Sequence, residues 1–282
     1  MIEYRNGRPS KDLLRLQEVL SEAAAQVIAF CRAHEIPIVF IGGTALGAVR
    51  DSAFIPWDDD VDFALMRRDY DRLASLFRTH GIAGMTLQDW DSAPLYHHAF
   101  GRLRIDGTHI DEPDFAGSGM HEGIFLDLFI YDELPRSTWV RSMQRLLLGL
   151  ANLLIMPSAV DAKIEGRAAT RRFTRRLALL VRNPASLRLA IRLRERVSRW
   201  GEGSGSGMID SFPMLGVSKY RKTMLAAEDL LPPRPARLGN VKGFVPANAE
   251  RFFERHYNAD WRSPPPAKAR RPGHVTTVDF GD

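Results

Sequence analysis

Residues 38–65 read IVFIGGTALGAVRDSAFIPWDDDVDFAL, and this stretch decides the fold of the chain. It begins with four consecutive apolar residues, Ile38 to Ile41, a pattern typical of a short buried strand. Gly42-Gly43-Thr44 interrupts the run, and residues 45–50 then predict one or two helical turns with Thr44 as the N-cap. The stretch ends with residues that alternate between acidic and apolar, which indicates a second strand.

The glycine turn is open to two interpretations. Where a strand ends in glycines and enters a helix, backbone N–H groups can approach a ligand closely, and the helix N-terminus attracts an anion. Gly42, Gly43 and Thr44 are therefore candidates for a phosphate cradle. A Gly-Gly-Thr turn alone is also compatible with a purely structural role.

The acidic residues that follow are the strongest chemical signal. Side chains alternate along a strand, so Asp60 and Asp62 project from one face, about 7 Å apart at twice the rise per residue. Apolar neighbours such as Val61 and Phe63 indicate a core strand, in which carboxylates need a partner. A hard divalent cation, Mg²⁺ or Mn²⁺, with oxygen ligands is the economical partner. The alternative is an acidic surface loop.

A third acid stands alone in the apolar run GIFLDLFIY, residues 123–131. An unpaired carboxylate at Asp127 would be costly in such surroundings. One interpretation pairs Asp127 with an arginine, Arg102 or Arg104. The other makes Asp127 a third carboxylate on an adjacent strand, which completes a metal site with Asp60 and Asp62.

The rest of the chain predicts a mixed α+β protein. Apolar residues at helical spacing indicate an amphipathic helix from Ser10, its N-cap, to His34, and another from Arg68 to His80. Strands are expected at Tyr96 to Arg104 and Ile124 to Tyr131, and a short helix at Ala247 to Tyr257.

The composition excludes several classes of protein. Of 282 residues, 45% are hydrophobic and 26% charged, which excludes wholesale disorder and coiled-coil or collagen-like architectures. A single cysteine, Cys31, excludes a disulfide framework and a cysteine zinc site. The most apolar stretch, Leu146 to Met156, is shorter than the roughly 20 residues that span a bilayer. The first residues carry no signal-peptide pattern, so we expect a cytoplasmic protein.

Basic residues are concentrated in the middle of the chain. Residues 136–199 contain fifteen Lys and Arg but three acidic residues, although the whole chain carries a net charge of only +5. Arginines interleave with leucines there, while aromatic residues are few, which disfavours nucleic-acid binding. The pattern suits an anionic membrane surface, the alternative being a solvated arginine face.

Residues 41–65 resemble the signature of the LicD family, the bacterial phosphotransferases related to fukutin and fukutin-related protein. Residues 98–104, 123–135 and 245–274 extend the resemblance. It implies the nucleotidyltransferase (polymerase-β-like) fold, a mixed sheet flanked by helices. We accordingly expect a catalytic core over residues 1–135, a basic helical insertion over 136–217 and a C-terminal segment over 218–282 that packs back on the core.

The resemblance implies transfer of a phospho-alcohol, phosphocholine or a polyol phosphate, from a CDP-activated donor to a glycan hydroxyl. The acceptor would be a cell-surface or lipid-linked glycan, such as lipopolysaccharide or teichoic acid, and the enzyme would work at the inner face of the cell membrane. Attack on phosphorus builds negative charge on oxygen, so Mg²⁺ or Mn²⁺ and fixed cations would carry most of the catalysis.

Individual roles follow from this chemistry. Asp60 and Asp62 are expected to bind the metal, and Asp127 is either a third ligand or the base for the incoming hydroxyl. Asp58 would join or support the ligands, whereas Asp59 is expected to be a cap or a solvated acid. Candidate substrate or phosphate contacts are Gly42, Gly43, Thr44, Arg50, Trp57, Arg102, Arg104 and His274.

Two alternatives remain at this stage. The same fold could transfer a nucleotidyl group from an NTP to a sugar phosphate or protein. A non-catalytic basic module that binds membrane or nucleic acid is a different class of protein, and retention of Asp60, Asp62 and Asp127 speaks against it.

Overall fold

The computed structural model describes residues 1–5, 7–112, 119–155, 183–211, 224–257 and 260–281. The chain divides into two compact units. Unit one comprises residues 1–88, 101–130 and 228–282, and unit two comprises residues 89–100 and 131–227. The sequence-based division into residues 1–135, 136–217 and 218–282 stays a prediction. Residues 156–182 and 212–217 of its insertion, and residues 218–223 of its C-terminal segment, lie outside the described residues.

Unit one begins with a long helix whose position the sequence predicted. Helix α1 (Lys11–Ala33) follows Ser10, whose hydroxyl accepts a hydrogen bond from the Leu13 N–H at 3.1 Å. Its apolar stripe is buried as the helical spacing requires. The buried side chains are Leu13, Leu16, Leu20, Ala23, Ala24, Val27, Ile28 and Cys31.

The sheet of unit one carries the acidic stretch. Strand β3 (Val39–Phe40) pairs antiparallel with β4 (Asp62–Met66), with Phe40 opposite Phe63 and their rings stacked at 5.2 Å. Strand β8 (Phe125–Glu133) lies beside β4 and begins in unit one. Two further antiparallel strands follow on its other side, first β6 (Gly101–Ile105) and then β5 (Met85–Gln88).

Helices and short strand pairs surround this sheet and confirm a mixed α+β architecture. The helices are α2 (Gly42–Arg50), α3 (Arg67–Thr79) and α7 (Ala249–Tyr257). The strand pairs are β1 (Tyr4–Arg5) with β2 (Arg8–Pro9), β7 (His109–Ile110) with β13 (Val278–Asp279), and β11 (Arg234–Leu238) with β12 (Val241–Val245).

Two local predictions were wrong. The strand expected over Tyr96 to Arg104 begins only at Gly101, because the Tyr96 N–H closes a turn on the Ala93 carbonyl at 2.8 Å. Helix α2 begins at Gly42 rather than after Thr44, and its N-cap is Ile41 without a side-chain hydrogen bond. Thr44 therefore lies inside the helix and is not its cap.

Unit two contains the part of the basic section that the structure describes. Its helices are α4 (Thr138–Ile155), α5 (Pro184–Ser198) and the start of the short α6 (Ala227–Leu230), and its strands are the end of β8, β9 (Met208–Asp210) and β10 (Leu225–Ala226). Ala151, Ile155, Leu187, Ala190 and Ile191 form a small apolar core.

The Arg194 guanidinium organises the loop that carries two histidines of unit two. It donates to the carbonyls of His97 and His98 at 2.6 and 2.7 Å. Among the described residues, no helix is long and apolar enough to cross a membrane.

Candidate functional site

The N-terminus of α2 faces two aspartate side chains. A Cβ on Gly42 would lie 2.5 Å from Asp62 Oδ2, and a Cβ on Gly43 would lie 2.6 Å from Asp58 Oδ2. Gly42 also has a φ of +59°, a backbone conformation that is unfavourable for residues with a side chain. The two glycines therefore let the carboxylates of Asp62 and Asp58 lie against the helix backbone.

Thr44 fixes the start of β4 from within α2. Its buried hydroxyl accepts a hydrogen bond from the Asp62 N–H at 2.9 Å, and the Ile41 N–H donates to the Asp62 carbonyl at 3.1 Å. Thr44 thus holds the backbone of a candidate metal ligand. Gly42, Gly43 and Thr44 thus place the acids Asp58 and Asp62. Their role as a phosphate cradle stays a prediction.

Four carboxylates come together beside these residues. Burial raises the pKa of Asp62 well above its usual value, and the nearby carboxylates of Asp60 and Asp127 raise it further. Burial likewise raises the pKa of Asp60 to about 6, although the His274 imidazole opposes this shift. The pKa of Asp58 is also raised well above its usual value, by burial and then by the charge of Asp60. These mutual effects place the acids in one electrostatic cluster, hereafter the acid cluster: Asp58, Asp60, Asp62 and Asp127.

Asp127 is paired with an arginine, as one interpretation of the sequence expected, while its place in a metal site stays a prediction. The Arg102 Nε donates to Asp127 Oδ1 at 2.7 Å, so the acid is paired with an arginine. Burial nevertheless raises the pKa of Asp127 more than Arg102 lowers it. Asp127 also acts electrostatically on Asp60 and Asp62, and we therefore include it in the acid cluster.

Glu112 connects the two arginines of β6. It forms ion pairs with Arg102 and with Arg104, the latter at 2.5 Å. Arg104 is wholly buried and also donates to Gln88 Oε1 at 2.9 Å and to the Gly123 carbonyl at 2.8 Å. Because its side chain has no exposed surface, we assign Arg104 to the support of Glu112 and not to contact with substrate.

The acid cluster fits a hard divalent cation. Asp58 Oδ2 is buried and has no hydrogen-bond partner among the described residues, which is costly unless a cation approaches it. All the acidic donors are carboxylate oxygens, the ligands that Mg²⁺ and Mn²⁺ prefer. The chemistry of these donors and the unpartnered Asp58 oxygen therefore suit such an ion.

Asp59 differs from its neighbours, and the expectation that it is a solvated acid was wrong. It is 3% exposed and accepts hydrogen bonds from three successive backbone N–H groups, those of Gly273, His274 and Val275. The His274 ring lies against the acid cluster, with Nε2 3.1 Å from Asp60 Oδ2. Donor atoms of Asp59, Asp60 and His274 all lie within 4.8 Å of one another.

Arg50 and Trp57 lie at the edge of the acid cluster. The half-buried Arg50 guanidinium donates to Asp51 at 2.7 Å, and its charge lowers the pKa of Asp58. The Trp57 ring packs edge-on against Tyr4 at 5.5 Å, and the Arg270 guanidinium lies 5.6 Å from its centre. This packing favours Trp57 as a wall of the site.

Sequence reasoning missed Tyr257, the last residue of α7. Burial raises the pKa of its hydroxyl, and the carboxylates of Asp58 and Asp62 raise it further, so Tyr257 interacts electrostatically with the acid cluster. The available signal was helical spacing, since Tyr257 stands four residues after the buried Phe253 and shares its face of the helix.

Comparison with known proteins identifies this part of the chain. Residues 35–144 match the family model described as LicD/FKTN/FKRP, nucleotidyltransferase domain. The lipopolysaccharide cholinephosphotransferase LicD of Haemophilus influenzae is 32% identical over 109 residues, which cover 38% of this chain and 39% of that protein.

The matched residues carry β3, α2, β4 and β8, and with them all four members of the acid cluster. Through these residues, the chain is similar to the nucleotidyltransferase domain of the LicD family. The match spans about two fifths of the Haemophilus protein.

Proposed function

We propose that the chain is a metal-dependent phosphotransferase that moves a phospho-alcohol from a CDP-activated donor to a hydroxyl of a glycan or lipid-linked glycan. The observation that carries the proposal is the acid cluster: four carboxylates with raised pKa values, of which Asp58 and Asp62 lie against the N-terminus of α2. The similarity to a lipopolysaccharide cholinephosphotransferase supports the choice of reaction.

Asp58, Asp60 and Asp62 would hold Mg²⁺ or Mn²⁺. When bound, the ion supplies positive charge for the phosphate oxygens, which gain negative charge during transfer. The helix N-terminus and the Arg50 guanidinium add fixed positive charge on the same side of the protein.

Asp127 is the candidate general base. Its raised pKa makes it a better proton acceptor than an ordinary carboxylate, and the bond from Arg102 fixes its orientation. Asp127 takes the proton of the acceptor hydroxyl as the hydroxyl oxygen bonds to the phosphorus that carries the alcohol. The bond from that phosphorus to the bridging oxygen breaks, and CMP leaves with the electron pair.

Product analysis tests this proposal. Purified protein with Mg²⁺ and CDP-choline, CDP-glycerol or CDP-ribitol is expected to release CMP in the presence of a glycan acceptor. Asp62→Asn keeps the size of the side chain beside Gly42 and is expected to lower the rate at least about a hundredfold. Glu22→Gln, which neutralises an exposed acid on α1, is the matched control. If CMP is released from none of the three donors, the proposal is contradicted.

A nucleotidyltransferase is the second candidate, supported by the description of the matched family domain. The same assay separates the two reactions, because nucleotidyl transfer from an NTP to a sugar phosphate or protein releases pyrophosphate and not CMP.

We further propose that unit two docks on an anionic membrane surface, at the inner face of the cell membrane. Apolar side chains project from α4 on the side opposite its buried residues, with Trp139 70% exposed and Leu146 and Leu150 also exposed. Helix α5 exposes Leu189 and Leu193 in the same way. Arginines at exposed positions of α5 supply charge complementary to anionic lipid: Arg188, Arg192 and Arg196.

A further inference from the structure

We propose that Asp59 is a positioning residue that anchors residues 273–275 to the site and so holds the His274 imidazole against Asp60. The catalytic consequence of this inference rests on the proposed function. The anchoring itself does not, and the experiments below separate the two.

Asp59 binds residues 273–275 through three hydrogen bonds to backbone N–H groups. Asp59 Oδ1 accepts the Gly273 N–H at 3.0 Å, and Oδ2 accepts those of His274 and Val275 at 2.9 and 2.6 Å. Hydrogen bonds to an ionised acceptor are shorter and stronger than neutral ones. Three of them converge on one buried carboxylate from residues more than 210 positions away in the sequence.

These bonds also separate Asp59 from the metal ligands. Both of its oxygens accept backbone N–H groups, whereas Asp58 Oδ2 has no such partner among the described residues. In the run of acids from Asp58 to Asp60, the middle side chain therefore binds the backbone of residues 273–275.

Other contacts hold the segment that follows. The Ile2 N–H donates to the Thr276 carbonyl at 3.0 Å, the Thr277 hydroxyl bonds to Asp111, and Val278 pairs with Ile110 between β13 and β7. Asp59 attaches residues 273–275 beside the acid cluster. Without it, the path of the chain at residues 273–275 would lose its fixed point beside Asp60.

The side chain that this anchor places is His274. Its side chain remains 55% exposed although Nε2 lies 3.1 Å from Asp60 Oδ2. It thus faces both the acid cluster and solvent, the position from which an imidazole can contact the phosphate groups of an entering donor. Since orientation to within about 1 Å decides the rate of such reactions, the anchor acts on catalysis through His274.

The first experiment uses no substrate. In Asp59→Asn, hydrogen exchange at the amides of residues 273–275 is expected to rise about tenfold or more, because bonds to a charged acceptor are lost. Modification of His274 by diethyl pyrocarbonate, measured by mass spectrometry, is expected to speed up as the ring leaves Asp60. Glu22→Gln is the control and leaves both unchanged. Unchanged exchange and modification in Asp59→Asn would overturn the anchor, whatever reaction the protein catalyses.

The second experiment tests positioning in the active protein. Asp59→Asn and His274→Gln are each expected to lower kcat about ten- to a hundredfold, and the double variant is expected to lose no more than the worse single one. His274→Gln changes an exposed side chain, so it remains informative even if Asp59→Asn folds poorly. A kcat of Asp59→Asn equal to that of wild type, or additive losses in the double variant, would overturn the positioning role while the anchor stands.

Discussion

Single atoms decide whether the acid cluster can form. At Gly42 and Gly43 the missing Cβ leaves the space that carboxylate oxygens of Asp62 and Asp58 occupy. Each of these glycines supports an acid that comes more than ten residues later in the sequence. The two glycines and the acids Asp58 and Asp62 therefore depend on each other for their positions.

Gly43→Ala is expected to displace the Asp58 carboxylate, because the new Cβ would lie 2.6 Å from Oδ2. We expect Mn²⁺ affinity, measured by calorimetry, to fall about ten- to a hundredfold, as when support for a ligand is removed. Ala48→Gly is the control, since it weakens the same helix without adding an atom beside the acids. Equal metal affinity in wild type and Gly43→Ala would refute this account of the glycine.

Glu112→Gln is expected to destabilise the fold, since it removes the carboxylate that Arg102 and Arg104 share. Removing one member of a buried ion pair costs about 3–5 kcal/mol, measured as the free energy of unfolding in urea. Glu122→Gln changes a half-buried acid 3.9 Å from His109 and should cost much less. Similar losses in both variants would argue against a special role for Glu112.

The residues of the site were predictable only where their signal is local. Alternation along a strand grouped Asp60 with Asp62, but β4 begins only at Asp62, so Asp60 lies before the strand. The cost of an isolated buried acid pointed to Asp127 and to its arginine partner, Arg102. The same alternation set Asp59 apart but could not reveal its partners, because they return from residues 273–275. Tyr257 was missed for a similar reason.

At the scale of elements, the sequence predicted the long periodic helix well and missed a hairpin of short strands. The apolar stripe gave α1 to within a residue at each end. The hairpin of β11 and β12 was not predicted, although Gly243 allows it to pack on the Phe40 ring, which a Cβ would meet at 2.2 Å. Short strands with alternating exposure carry too little pattern to be recognised without their partners.

The exposed apolar residues of α4 allow a test of membrane binding. Leu146→Glu with Leu150→Glu is expected to abolish sedimentation with phosphatidylglycerol vesicles at low salt, because both side chains would enter the lipid interface. Ser142→Glu adds one negative charge, as Leu146→Glu alone does, but at an exposed polar position of α4, and should have a weaker effect than that single variant. Wild-type protein that shows no salt-sensitive binding would exclude the membrane proposal.

At the scale of the whole molecule, the acid cluster makes stability depend on pH. An acid whose pKa is raised in the folded state stabilises the protein fully below its unfolded pKa, and this contribution is lost as pH rises through the folded pKa. For Asp60 the loss falls between about pH 4, the ordinary aspartate range, and pH 6. The raised pKa values of Asp58 and Asp62 extend it upward.

Asp58→Asn is therefore expected to raise the melting temperature of the metal-free protein at pH 8, with a smaller gain as pH approaches 4. Added Mg²⁺ should raise the melting temperature of wild type at pH 8 and have less effect on the variant, because a cation offsets the repulsion that the substitution removes. Thermal unfolding in EDTA and in Mg²⁺ measures both effects. A variant less stable than wild type in EDTA at pH 8 would contradict the expected sign.

The attachment of residues 273–275 to Asp59 has a consequence for biosynthesis. A ribosome makes the aspartates of residues 58–62 early, but the amides that Asp59 binds emerge more than 200 residues later. During most of translation the growing polypeptide carries this acidic segment without its final bonding partners. The Asp59 carboxylate can therefore gain its backbone partners only after Val275 has left the exit tunnel, when most of the described residues have been synthesised.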